Sequence, residues 1–143
     1  MAEFRLSNFT SGAVLTAAEL NTGLTYASYT PVWTQSNTIT NTVNVARYTQ
    51  FGKLVIAQIQ LTSTTTGTAG NKITVSLPVN ASSNNKILGS AFYNQAIRYA
   101  LYDTSTTTMI GGNPTTFGAA FSNTTAGVGN ADVVAFLLTY EAA

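Results

Sequence analysis

The chain has 143 residues, enough for one domain, and Asp, Glu, Lys and Arg make up only 8% of it, against about 25% in an average soluble domain. Six basic and five acidic residues leave a net charge of +1, too little for the multi-phosphate footprint of an electrostatic nucleic-acid binder. With no His and no Cys, a Ser-His-Asp triad, a cysteine nucleophile, an imidazole or thiolate metal site and any disulfide framework are excluded. No metal or other cofactor is expected.

Hydroxyls and amides replace the missing charge: Thr (25), Asn (13) and Ser (11) supply roughly a third of the chain. The longest strongly apolar run, Val133 to Leu138, is far short of the roughly 20 residues that span a bilayer, so no membrane insertion is expected. Glu3, Arg5 and the polar residues from Ser7 to Gly12 do not read as a signal peptide, and export through a secretory pathway is not expected.

In chain order, residues 1–28 read as an arm. Phe4, Leu6 and Phe9 are spaced among polar residues, in the pattern of neither a clean helix nor a solvated tail. Thr16 and Glu19 then form a capping box, with Leu15 and Leu20 at the two staple positions, which predicts a short helix closed near Gly23. A helix of about two turns is marginal in water unless its apolar face is docked. Phe4, Leu6, Phe9, Leu15 and Leu20 are therefore the candidate anchors to a partner surface.

From residue 29 onward the pattern turns to period two, with turn signals about every ten residues, the signature of an antiparallel sandwich or barrel. Strands are expected at 29–34, 38–48, 53–62, 72–77, 86–93, 97–102, 107–110, 115–121 and 132–140. Val55, Ala57, Ile59 and Leu61 define one buried face, Ile73, Val75 and Leu77 another, and Ile97, Tyr99 and Leu101 a third. The last strand is apolar on both faces, with Val134, Phe136, Leu138 and Tyr140 on one and Val133, Ala135 and Leu137 on the other. Such a strand is central in its sheet or meets another subunit.

Polar loops separate the strands. If the strands alternate in direction, the loops at 80–85, 103–106 and 122–130 gather at one end, where Asn84, Asn85, Asp103, Asn123 and Asn130 are candidate contacts to a host surface glycan. Asp103 and Asp132 are the one pair of carboxylates worth weighing for glycoside hydrolysis, and turn formation and strand capping account for them better. The Gly-rich pieces at 67–70, 111–112 and 127–130 do not open helices as a phosphate loop must, and read as turns.

The strings Tyr29-Thr30-Pro31-Val32-Trp33-Thr34, Ala46-Arg47-Tyr48, Gly52-Lys53, Gly67-Thr68-Ala69-Gly70, Ser76-Leu77-Pro78, Gly127-Val128-Gly129-Asn130-Ala131-Asp132 and Tyr140-Glu141-Ala142-Ala143 resemble, in order and spacing, the C-terminal β-domains of bacteriophage minor tail and tail-fibre proteins. The resemblance covers most of residues 29–143. Leu15 to Asn21 is similar to the short helical lead that often precedes such domains. The resemblance implies a non-enzymatic virion surface protein with a β-sandwich fold, commonly a homotrimer, built into particles in the host bacterial cytoplasm. Those domains usually end a long chain with a shaft, whereas this one is an arm, a helix and a sandwich. A capsid-decoration or head-fibre role is thus expected beside the tail-fibre one, with the major capsid protein or tail components as partners. The expected architecture is an antiparallel, jelly-roll-like β-sandwich of about eight strands over 29–143, preceded by the anchoring arm over 1–28.

Overall fold

The computed structural model of the protein describes residues 25–94, 96–110 and 127–143. Among the described residues every regular element is a strand: β1 (Ala27–Ser28), β2 (Trp33–Gln35), β3 (Asn37–Ile39), β4 (Asn41–Phe51), β5 (Leu54–Ser63), β6 (Thr74–Ser76), β7 (Ile87–Tyr93), β8 (Ala96–Thr104), β9 (Thr107–Ile110) and β10 (Val133–Glu141). They form one antiparallel sheet in the order β1-β4-β5-β10-β7-β8-β9-β6-β2-β3. The sheet begins two residues before the boundary expected at Tyr29. The expected strand over 115–121, the expected short helix and the anchor residues Phe4, Leu6, Phe9, Leu15 and Leu20 lie outside the described residues.

The ladder order itself demands curvature. Only Thr40 separates β3 from β4, yet the two stand eight ladder steps apart. In a flat sheet that distance would be about 38 Å at about 4.8 Å per step, whereas one intervening residue bridges about 7 Å. The sheet therefore curls into a half-barrel, and the expected 38–48 strand divides at the bend. The bend is held by the residues that follow β5: the Thr64 amide donates to the Thr40 carbonyl (2.7 Å) and the Thr40 amide to Thr65 Oγ1 (2.9 Å). Because β3 is the last strand of the ladder and β4 and β5 lie near its other end, this seam brings the sheet's two ends together, as barrel-like closure requires.

Curling gives the sheet a sealed inner face. Inward cross-strand pairs Leu61–Val134, Ile59–Phe136, Ala57–Leu138 and Val55–Tyr140 run the length of β5 and β10. Trp33, Ile39, Val75, Leu88 and Ala100 from other strands, with Ile73 just before β6, complete the core. Each large aliphatic or aromatic side chain removed from water in this way contributes about 1.5–3 kcal/mol. The faces expected for β5, β6 and the inward half of β10 are the faces observed.

β8 corrects the expectation made for it. Ala100 is fully buried and Tyr102 packs on the core, while Ile97 points outward and is largely exposed. Register decides this: Ile97 pairs with outward Phe92, and inward Ala91 opposes Arg98. Both faces of β8 carry bulky apolar residues, so alternation alone cannot tell inside from outside.

Two backbone positions need glycine. Gly52 (φ +55°) occupies the two-residue turn between β4 and β5, where the strand twist favours a left-handed residue. Gly89 (φ +153°) sits beside the bulge in β7, so close to β10 that a Cβ would overlap the Leu137 carbonyl oxygen and stand 3.0 Å from Leu138 Cα. Gly89→Ala is expected to lower stability by about 2–4 kcal/mol in urea denaturation, because backbone and not a flexible side chain must give way. An unchanged midpoint would mean that β7 and β10 are not packed this closely.

Candidate functional site

The strand directions sort the loops into two ends. At one end lie the β4–β5 turn, the loop 77–86, the β8–β9 turn and the C-terminus. At the other lie the β2–β3 turn, the loop 64–73, the β7–β8 turn and the segment 127–132 that leads into β10.

Two of the three loops expected to share an end do so. The Ala81 amide donates to the Ser105 carbonyl and the Leu77 amide to Thr106, each at 2.7 Å, and Ser82 donates to Glu141. Asn84 is exposed there, and Asn85 Nδ2 donates to the Glu141 carbonyl (3.3 Å). Asp103 lies by the same turn, its carboxylate held by Lys72 Nζ (2.5 Å) and Thr107 Oγ1 (3.2 Å). Lys86 Nζ sits 5.7 Å from the centre of the Tyr102 ring.

Asn130 is a correction, for it lies at the opposite end. β9 runs toward the end at which β10 begins, and that direction overrides the alternation assumed along the sequence. Asn123 lies outside the described residues. The same parity separates Asp103 from Asp132: most of the length of β8, roughly 20 Å at about 3.3 Å per residue, intervenes. Paired glycosidase carboxylates stand about 5–9.5 Å apart, so these two cannot flank one glycosidic bond.

At Asn130's end the structure reveals a polar knot that local pattern does not show. Asp132 Oδ2 accepts from the Tyr93 hydroxyl (2.6 Å) and the Gly129 amide (2.7 Å). Ser63 Oγ donates to the Gly129 carbonyl, and Asn94 Oδ1 accepts the Val133 amide. Burial works against the charged form of Asp132. The hydrogen bonds from Tyr93, Gly129 and Asn94 outweigh it and hold the carboxyl below its ordinary 3.8.

Beside the knot, the fully buried Gln35 ties three segments together. Its Oε1 accepts the Val128 amide (2.7 Å), its Nε2 donates to the Asn71 carbonyl (3.1 Å), and a Cβ on Gly67 would strike its side-chain oxygen. A Gln two residues after Trp33 on an inward face is the one sequence signal that could have marked this post, and the Gly-Val-Gly-Asn-Ala-Asp turn the one that could have marked the knot.

On the outer side of the sheet, an open groove of about 500 Å³ is lined by Gln60, Phe92, Asn94, Ala131, Val133 and Ala135. A smaller depression of about 220 Å³ continues it toward Gln58, Ser90 and Leu137. Among the described residues no group of three or more acidic side chains converges as a metal site would require. Comparison of the chain with protein families, with curated proteins and with solved structures finds no match.

The titrating groups set a pH window. Asp132 has a lowered folded-state pKa, so its contribution is present above about pH 4 and is lost as pH falls through that lower value. Burial first of all raises Tyr29, Tyr48, Tyr93 and Tyr140 above 10.0, so theirs is full below pH 10 and is lost as pH rises through the raised values. Stability should be nearly flat from about pH 5 to 9 and fall on both sides. Asp132→Asn should cost about 1–2 kcal/mol at neutral pH, with the gap to the native chain narrowing as pH falls below 3.8, as followed by urea midpoints. A gap constant at every pH would show that the Asp132 charge is not what holds the knot.

Proposed function

We propose that the chain is a non-enzymatic structural protein of a bacteriophage exterior, of capsid-decoration, head-fibre or tail-fibre type. In this reading it is assembled into virions in the host bacterial cytoplasm. It joins the particle through Phe4, Leu6, Phe9, Leu15 and Leu20, against the major capsid protein or tail components, and packs as a homo-oligomer, a trimer in the resembling domains. The two halves of the curled sheet then serve as facing layers of a jelly-roll-like β-sandwich.

What carries this reading is the use to which the fold puts its acids. Asp132 tethers the segment entering β10, Asp103 pins Lys72 and Thr107 at the β8–β9 turn, and Glu141 pairs with Lys53 across 3.8 Å beside the C-terminus. Among the described residues Asp103 and Asp132 are thus engaged in holding loops, and half-exposed Glu141 stands beside Lys53. That suits a durable shell component better than a centre of proton transfer, where a carboxyl must be open to substrate.

Removing residues 1–24 leaves every described strand intact and should yield a chain that still unfolds cooperatively but no longer joins particles. Incorporation of the shortened chain at normal occupancy would refute the anchoring role.

A second reading, attachment to a host surface glycan, is favoured by one observation: the loops carrying Asn84, Asn85 and Asp103 do share an end, next to exposed Lys86. If it holds, soluble protein should compete with phage adsorption, and Asn84→Ala with Asn85→Ala should weaken that competition about tenfold. Failure of excess soluble protein to compete would remove this reading and leave the structural one standing.

A further inference from the structure

Building on the reading of the chain as one packed among copies of itself, we infer that the outward face of β5, β10, β7 and β8 is the surface on which a second copy of this chain docks. Register aligns two rows across these strands. One row runs Gln60, Ala135, Phe92, Ile97, and the next runs Gln58, Leu137, Ser90, Tyr99. Leu137 is 59% exposed, Ile97 58% and Phe92 43%, and the two grooves lie along these rows. An apolar patch that crosses three strands, β10, β7 and β8, is more than a soluble monomer ordinarily leaves in water.

The contrast with the neighbouring strand is local. On β5 the outward positions Gln58, Gln60 and Thr62 are polar, whereas on β10 the corresponding Val133, Ala135 and Leu137 are not. The central place of β10 in the ladder satisfies its backbone and leaves these three side chains without a reason to be apolar until something covers them.

Charge and size identify the occupant. Neither row carries a carboxylate, ammonium or guanidinium, and the cations beside it are engaged: Arg98 Nη1 donates to the Ile97 carbonyl (3.0 Å), and Arg47 on β4 is held at the rim by Gln58 Oε1 (2.8 and 3.1 Å) under the Tyr26 ring. Rows without charged side chains, bordered by cations that already have partners, give a charged partner little to select. Its polar members are two primary amides, Gln58 and Gln60, and two hydroxyls, Ser90 and Tyr99, each both donor and acceptor, so the face can meet another copy of itself. With β4 at its edge the face is five strands wide and about nine residues long, roughly 24 by 30 Å or about 700 Å². That approaches the about 800 Å² per partner of a stable interface.

The test is sedimentation equilibrium of the full chain over a concentration series, with Leu137→Glu and Ile97→Glu as separate variants. Both sites are more than half exposed, so each variant should unfold near the native midpoint. The native chain is expected to sediment at a multiple of 15.0 kDa, and each variant to associate at least 100-fold more weakly. Because the chain has no cysteine, Ser90→Cys supplies a unique thiol whose reaction with a maleimide dye should slow as the native assembly forms.

Association undiminished in both Glu variants, or a native chain that stays monomeric throughout, would overturn the inference. Association lost on removing residues 1–24 but untouched by Leu137→Glu would assign the contact to the arm and overturn it equally. A chain that associates through Leu137 yet is absent from purified particles would refute the virion reading while leaving this face in place. A monomer that nevertheless joins particles would do the reverse.

Discussion

Thr40 joins two strands that belong to opposite ends of a ten-stranded ladder, and the rest of the architecture depends on the curvature this connection imposes. A flat antiparallel sheet of this length would expose one apolar face to water and leave two open edges. Bringing β3 beside the chain that leaves β5 closes the inner face around Trp33, Ile59, Phe136 and Leu138 and sets the sheet's ends against each other. The inner and outer faces then become chemically distinct, one sealed and one presented to solvent or to a partner.

A chain with so few charges must hold its loops by other means. Hydroxyl and amide groups do this, because each can donate and accept and none carries the desolvation penalty of an ion. Gln35 is completely buried and still well accommodated because both ends of its amide meet backbone groups of loops from distant parts of the chain. The carboxylate of Asp132 holds its loop through charge: one oxygen receives a phenol and a backbone amide, an arrangement that favours the ionised form. The same group at once anchors β10, the β7–β8 turn and the loop before β10.

The surfaces divide along the same lines. The two loop ends carry exposed amides and hydroxyls and, at one of them, the ion pair Lys53–Glu141. The flank of the half-barrel carries Phe92, Ile97 and Leu137. In the proposed role the ends face solvent or a host surface while the flank meets other copies, a division that lets one small sheet serve assembly and display without any reactive centre.

Sequence alone determined the all-β class, most strand positions and the inward faces of β5, β6 and β10, because a period of two against a buried core is a local property that each strand carries by itself. It also marked β10 as apolar on both sides. Only the tertiary structure decided which face of β8 points inward, since bulky residues occupy both and the choice is made by pairing with β7. It alone placed Asn130 away from Asn84 and Asp103, because loop location depends on strand direction across the whole ladder. It alone paired Gln35 with Val128 and Tyr93 with Asp132, 93 and 39 residues apart, for a hydrogen bond between groups that distant in the chain leaves no periodic trace in either segment.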